Sequence, residues 1–216
     1  MSAVLFFFGL VVLGFAWLGP WPARAAEAFV PHMAIHISVV AVAAPLIAAG
    51  MVRAHVVAKH VPRILLAPVP ASLVEFVIIW GWHFPALHHL ARNSSGAFVA
   101  EQASFLAAGL LLWVSALHRG DSEEDGRGAG VAALLLTSMH MILLGSLLVL
   151  ARRPLYEHAG TTEVDALLAD QQLGGILMLI GGGLPYLAGA LWLVWQLLLA
   201  PQEMGTATLP PARRTR

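Results

Sequence analysis

The chain contains no cysteine, which removes disulfides, thiolate metal sites, thioether-attached haem and iron–sulfur clusters together. Any metal must be held by His, Met, Asp or Glu. Charge is scarce as well: charged side chains make up 11% of the 216 residues, against about 25% in a soluble domain. A water-soluble globule is therefore excluded. The 12 basic and 12 acidic side chains cancel, and no basic stretch is interleaved with aromatics, so nucleic-acid binding has no electrostatic support.

What the sequence has in quantity is apolar surface, 59% of its residues. Between the few charges run six apolar stretches, approximately Ala3 to Leu18, Pro31 to Val52, Pro68 to Leu90, Ala97 to Leu117, Gly130 to Leu150 and Gln172 to Leu199. About 20 helical residues at ~1.5 Å rise cross the ~30 Å hydrocarbon core. Val39 to Ala49 is apolar on every side, without the alternation of a membrane strand. These features predict an all-α, polytopic integral membrane bundle of about six transmembrane helices in the lipid bilayer.

Loops are short, so residues 1–200 read as a single transmembrane domain, followed by a disordered cytoplasmic tail over 201–216. Ala23-Arg24-Ala25 resembles a signal-cleavage site, but Met1 to Leu5 lacks a basic n-region, which favours a retained first helix. Arg53, Lys59, Arg63, Arg119, Arg127, Arg213, Arg214 and Arg216 fall on one side, against Arg24, Arg92, Arg152 and Arg153 on the other. That bias predicts both termini in the cytoplasm. Gly120 to Gly130 reads as a solvated turn, and Thr162 with Asp165 as a capping box for a short helix leading into the last span.

Ionisable residues inside a span are functional candidates. His32 and His36 share a helical face at i, i+4, the spacing that offers two ligands to one ion, and His36 lies only ~7 Å below the outer boundary. Met33 adds a thioether nearby. His83 sits ~10 Å below the same boundary, and His140, between Met139 and Met141, ~16 Å. Asp170 stands at the outer mouth of the sixth stretch, and Glu101 and Gln102 open the fourth. The inner half holds one comparable residue, Glu75. His55, His60, His118, His88, His89 and His158 read as interfacial, the last three as a weak capture surface at most. The glycines of the last stretch read as close packing or as a hinge.

Imidazoles with thioethers and a carboxylate, but no thiolate, suit copper, zinc or iron, and Met beside His tilts the choice toward copper. His32, His36, His83, His140, Asp170 and Met33 form the expected metal set. No nucleophile, base and orienter occur together, so no enzyme is expected. A bis-histidine haem protein of electron transfer, a transporter and a metal-free scaffold are the competing readings.

His32-Met33 with His36, Ala44-Pro45-Leu46 and Gly50, Trp82-His83-x-Pro85, Pro154-Leu155-Tyr156 and Asp170-Gln171-Gln172-Leu173-Gly174-Gly175 occur in this order. Their order and spacing, from about residue 9 to 199, resemble the CtaG-type family of cytochrome c oxidase assembly factors. The resemblance implies a bacterial inner-membrane protein that matures haem-copper oxidase through copper insertion. Its partners would be terminal oxidase subunits and a periplasmic copper donor. His32, His36, His83 and Asp170 fall on the family's motif positions, whereas His140 rests on depth alone. Two departures stand out: the family usually has about seven spans, and Gln102 replaces a histidine that many relatives carry after the acidic residue.

Overall fold

A computed structural model describes residues 2–56, 67–118, 123–157 and 160–199. The described residues fold into ten α-helices with no β-strand among them: α1 (Ser2–Leu18), α2 (Trp21–Ala25), α3 (Phe29–Ile37), α4 (Ala44–Arg53), α5 (Pro68–Trp82), α6 (Pro85–Asn93), α7 (Ser95–Leu117), α8 (Glu123–Leu150), α9 (Val164–Leu177) and α10 (Gly183–Leu199). Two π-helical segments, Ser38–Ala43 and Met178–Gly182, join α3 to α4 and α9 to α10 without interrupting either helix. The tail predicted to be disordered lies outside the described residues.

Four continuous helices are long and apolar enough to span a membrane, namely Phe29–Arg53, Ser95–Leu117, Gly126–Leu150 and Val164–Leu199. The pair α5 and α6 makes a fifth, bent by 71° at its break. The first of the six expected stretches is the apolar but shorter helix α1. Val164–Leu199 is 36 residues long, ~54 Å at helical rise, so its first turns project beyond the hydrocarbon.

The break between α5 and α6 has a local cause. Proline at position 85 has no amide to donate and pushes the residue before it out of the helical region, and Phe84 is extended at φ −67°, ψ 129°. The bundle end where α5 stops, α6 lies and α3, α7 and α9 begin is the α6 end.

Close approach holds the bundle together. A Cβ on Gly145 of α8 would stand 2.7 Å from the Leu179 amide nitrogen and 2.8 Å from the Gly175 carbonyl oxygen, so these backbones touch through glycine alone. The glycines of the last helix thus line packing contacts, and the run near Met178 is accommodated by π geometry in one continuous helix.

Two local expectations are corrected. Residues Glu123 to Gly130 belong to helix α8, where a solvated turn was expected from Gly120 to Gly130, and 120–122 lie outside the described residues. Helix α9 has Glu163 as its N-cap with no side-chain cap bond, and the Thr161 hydroxyl accepts from the Glu163 amide, so the capping box at Thr162 does not form.

Candidate metal centre

Helix α3 enters from the α6 end with His32 and His36 on one face, their rings 6.5 Å apart and within 17° of parallel. Asp170, on α9, accepts hydrogen bonds from the Phe29 amide at 2.5 Å and the Val30 amide at 3.3 Å. Those are orphan donors of the first turn of α3, so Asp170 fixes the helix that carries both histidines.

His83 forms the C-cap of α5. Its Nδ1 lies 2.7 Å from the Ile79 carbonyl oxygen, and its ring stands 5.2 Å from His36 and 5.7 Å from His32. If Nδ1 carries the proton and donates to Ile79, Nε2 remains as the free ligand atom. The break frees the His83 carbonyl, which accepts from the Tyr156 hydroxyl at 2.8 Å. Burial pushes that hydroxyl above the usual phenol range, which keeps it a donor.

The reading of His88 as interfacial is overturned. The 71° bend lays α6 back over the bundle and buries His88, whose ring sits edge-on to His32 at 4.8 Å and 4.4 Å from Tyr156. Glu101 of α7 supplies the carboxylate, with Oε2 3.9 Å from His32 Nδ1. One ligand atom from each of His32, His88 and Glu101 lie within 4.8 Å of one another. Ligands ~2.1 Å from a common ion stand at most about 4.2 Å apart, so a small side-chain adjustment would close this set.

The carboxylate is held from several sides. The Arg92 guanidinium donates to Oε2, and so does Gln102 Nε2 at 3.1 Å. Gln102 Oε1 accepts from Trp17 at 3.2 Å, so the residue that departs from the family pattern serves here as a strut between α1 and Glu101. Trp82 donates to Ser104 at 2.8 Å, and Ser104 donates to the Glu101 carbonyl at 2.8 Å, which ties the end of α5 to α7.

Phe29, Phe105 and Tyr156 wall the cluster: Phe105 packs on His36 at 4.4 Å, and Phe29 stacks on Tyr156 at 4.5 Å. His32, His36 and Glu101 are fully buried, and both ring nitrogens of His32 and His36, His83 Nε2 and Glu101 Oε1 have no hydrogen-bond partner among the described residues. Buried polar atoms are normally satisfied, so this many together is the signature of a site built for something else to bind. The donor chemistry, imidazole and carboxylate, fits a borderline or soft cation.

Of the remaining members of the expected set, His140 packs edge-on against Phe76 at 5.3 Å, lies within electrostatic reach of His36 and has both ring nitrogens without a hydrogen-bond partner among the described residues, and Met33 is buried toward Gly174 of α9. Deeper still, Glu75 meets Tyr186 at 2.7 Å beside a Ser72–Thr137 hydroxyl pair at 2.9 Å. The Val40 carbonyl, in the first π segment, accepts from Tyr186 at 3.1 Å and from Trp113 at 3.3 Å.

No curated protein and no solved structure matches the chain. A family profile does match, over residues 1–199, and its description is cytochrome c oxidase caa3 assembly factor. Apolar spanning helices, motifs in order along the chain and a profile match over nearly its full length converge: the chain belongs to the caa3 cytochrome c oxidase assembly factor family.

Proposed function

We propose that the chain binds a metal cation, copper by donor type, between its helices and delivers it to cytochrome c oxidase during assembly. The observation that carries this reading is the convergence of His32, His36, His83, His88 and Glu101, five buried donors from four helices, at one end of the bundle. The cation is cargo and the mechanism is ligand exchange, not bond-making catalysis. The cluster offers more donor atoms than one ion needs, so an ion can be passed from one pair of ligands to the next without losing all of them. Arg92 offsets the charge of Glu101, which keeps the site from gripping a cation too tightly to release it.

The α6 end faces the periplasm in this reading, and both termini lie in the cytoplasm of a bacterial cell, because basic residues concentrate on the opposite loops. The recipient is the oxidase, and the supplier a periplasmic copper donor. A bis-histidine haem is disfavoured because the imidazoles pack directly on one another and on Phe105, which leaves no slot for a porphyrin. Asp170 is committed to helix α3, and His140 serves as a deeper donor at most.

Metal analysis of the purified protein in nanodiscs tests the reading. Wild type is expected to retain copper, His32→Ala and His88→Ala to lose it, and His140→Ala to keep it. Equal copper retention in wild type and His32→Ala would overturn the site, and absence of copper from wild type the function. In cells, deletion of the chain is expected to lower oxidase copper content and activity, with partial rescue by added copper.

A further inference from the structure

Two cavities approach the buried donors from the α6 end, and their linings differ in charge. The first, about 320 Å³, is lined by Pro22, Asn93, Ser95, Phe98 and the Arg92 side chain that pairs with Glu101. A cation moving through it meets a guanidinium before any ligand, and like charges in a partly desolvated passage repel. The second, about 540 Å³, lies between α6, Pro154 to Glu157, Thr161, Thr162 and the first turns of α9. Its wall includes His88, which is buried and belongs to the inner donor group, together with exposed His89 and Glu157.

We propose that this second cavity is the entrance for the cation, with His89 and Glu157 as the receiving pair and His88 as the residue that passes the ion inward to His32. This rests on the metal-handling reading above. Among the described residues His88 alone of the histidines lies both on the wall of one of these two cavities and in the buried donor group, so an ion held by it has already crossed the protein surface. Its ring is 4.8 Å from His32, close enough for an ion to exchange one imidazole for the other without returning to water. Tyr156 forms the inner wall beside it, with its hydroxyl engaged on the His83 carbonyl, so the passage is aromatic on one side and offers the cation few competing ligands. The ion served is a soft or borderline cation that arrives weakly chelated, because one imidazole and one carboxylate at the mouth can capture it but not hold it.

The absence of cysteine makes the test direct. A single thiol is introduced by Thr162→Cys on the wall of the second cavity, or by Ser95→Cys on the wall of the first. Each is capped with either a methyl group or a bulky maleimide, and uptake of copper(I) from a weak chelator is followed in nanodiscs. The bulky cap at position 162 is expected to slow uptake at least tenfold relative to the methyl cap, with the final stoichiometry unchanged. The bulky cap at position 95 is expected to leave the rate as it was. His89→Ala with Glu157→Gln should slow uptake severalfold and leave equilibrium affinity intact, whereas His32→Ala should change affinity. Slowing by the cap at 95 alone, or at neither position while wild type loads, would overturn the entrance and leave the metal site standing. Failure of wild type to load would overturn both.

Discussion

The Tyr186 hydroxyl stands 2.7 Å from Glu75 Oε1 and 3.1 Å from the Val40 carbonyl oxygen, with one proton to serve both. If Tyr186 donates to Val40, Glu75 must donate to Tyr186 and is a neutral acid. The alternative sets two oxygen lone pairs against each other and leaves a fully buried carboxylate with no cation paired to it among the described residues. Infrared difference spectra are therefore expected to show a carboxylic-acid band that shifts in heavy water and vanishes in Glu75→Gln. A carboxylate band in its place would contradict the hydrogen count. Tyr186→Phe should destabilise by about 1–3 kcal/mol, the cost of an unsatisfied buried group.

Asp170→Ala should cost about 0.5–2 kcal/mol, because the two amides that open α3 lose their acceptor. Thermal unfolding in detergent measures that loss. Metal stoichiometry below the unfolding temperature should stay at the wild-type value if the carboxylate acts by positioning the helix, as proposed above. A variant that is as stable as wild type but cannot bind metal would reverse that assignment.

Removal of the Arg92 guanidinium by Arg92→Gln leaves Glu101 buried without its ion-pair partner. Breaking such a pair costs about 3–5 kcal/mol in the free protein. A bound cation would supply the missing positive charge. The rise in melting temperature on metal addition should accordingly be larger in Arg92→Gln than in wild type, and an equal or smaller rise would argue against Glu101 as a ligand.

Gly145→Ala should destabilise by about 1–3 kcal/mol, because its Cβ would meet the Leu179 and Gly175 backbones at 2.7 and 2.8 Å and backbone cannot swing aside. Gly81→Ala, with nothing within 4 Å of the added carbon, serves as the control and should be neutral or slightly stabilising. Chemical denaturation of the pair in the same detergent gives the comparison.

How much of this was legible in the chain differs from residue to residue. The helical class followed from run length and hydropathy, and His32 and His36 from their spacing, because one span fixes both. His83 was placed by depth, since it ends the helix that carries it. Glu101 was visible only as a polar residue opening a span, because its partners Arg92 and His32 come from other helices. His88 looked interfacial because counting along a straight helix puts it at the outer boundary of the membrane. The signal that could have corrected this was Phe84-Pro85, where proline forces the 71° bend that returns α6 to the bundle. Depth alone found His140 but not its direction: its ring packs against Phe76, with both nitrogens buried and without a hydrogen-bond partner among the described residues. Met33 follows His32 by one residue, about 100° further round the helix, so the two cannot point the same way.

The π segment Ser38–Ala43 has a consequence for insertions and deletions. A π turn accommodates one residue more than the α ladder and shifts the azimuth of everything beyond it by about 100°. His32 and His36 above the segment and Ala44, Ile47 and Ala48 below it are all buried, so both halves keep an inward face. Deleting that extra residue would let the ladder close as ordinary α-helix with both inward faces kept, whereas deleting one residue outside the segment would turn one half about 100° against the other.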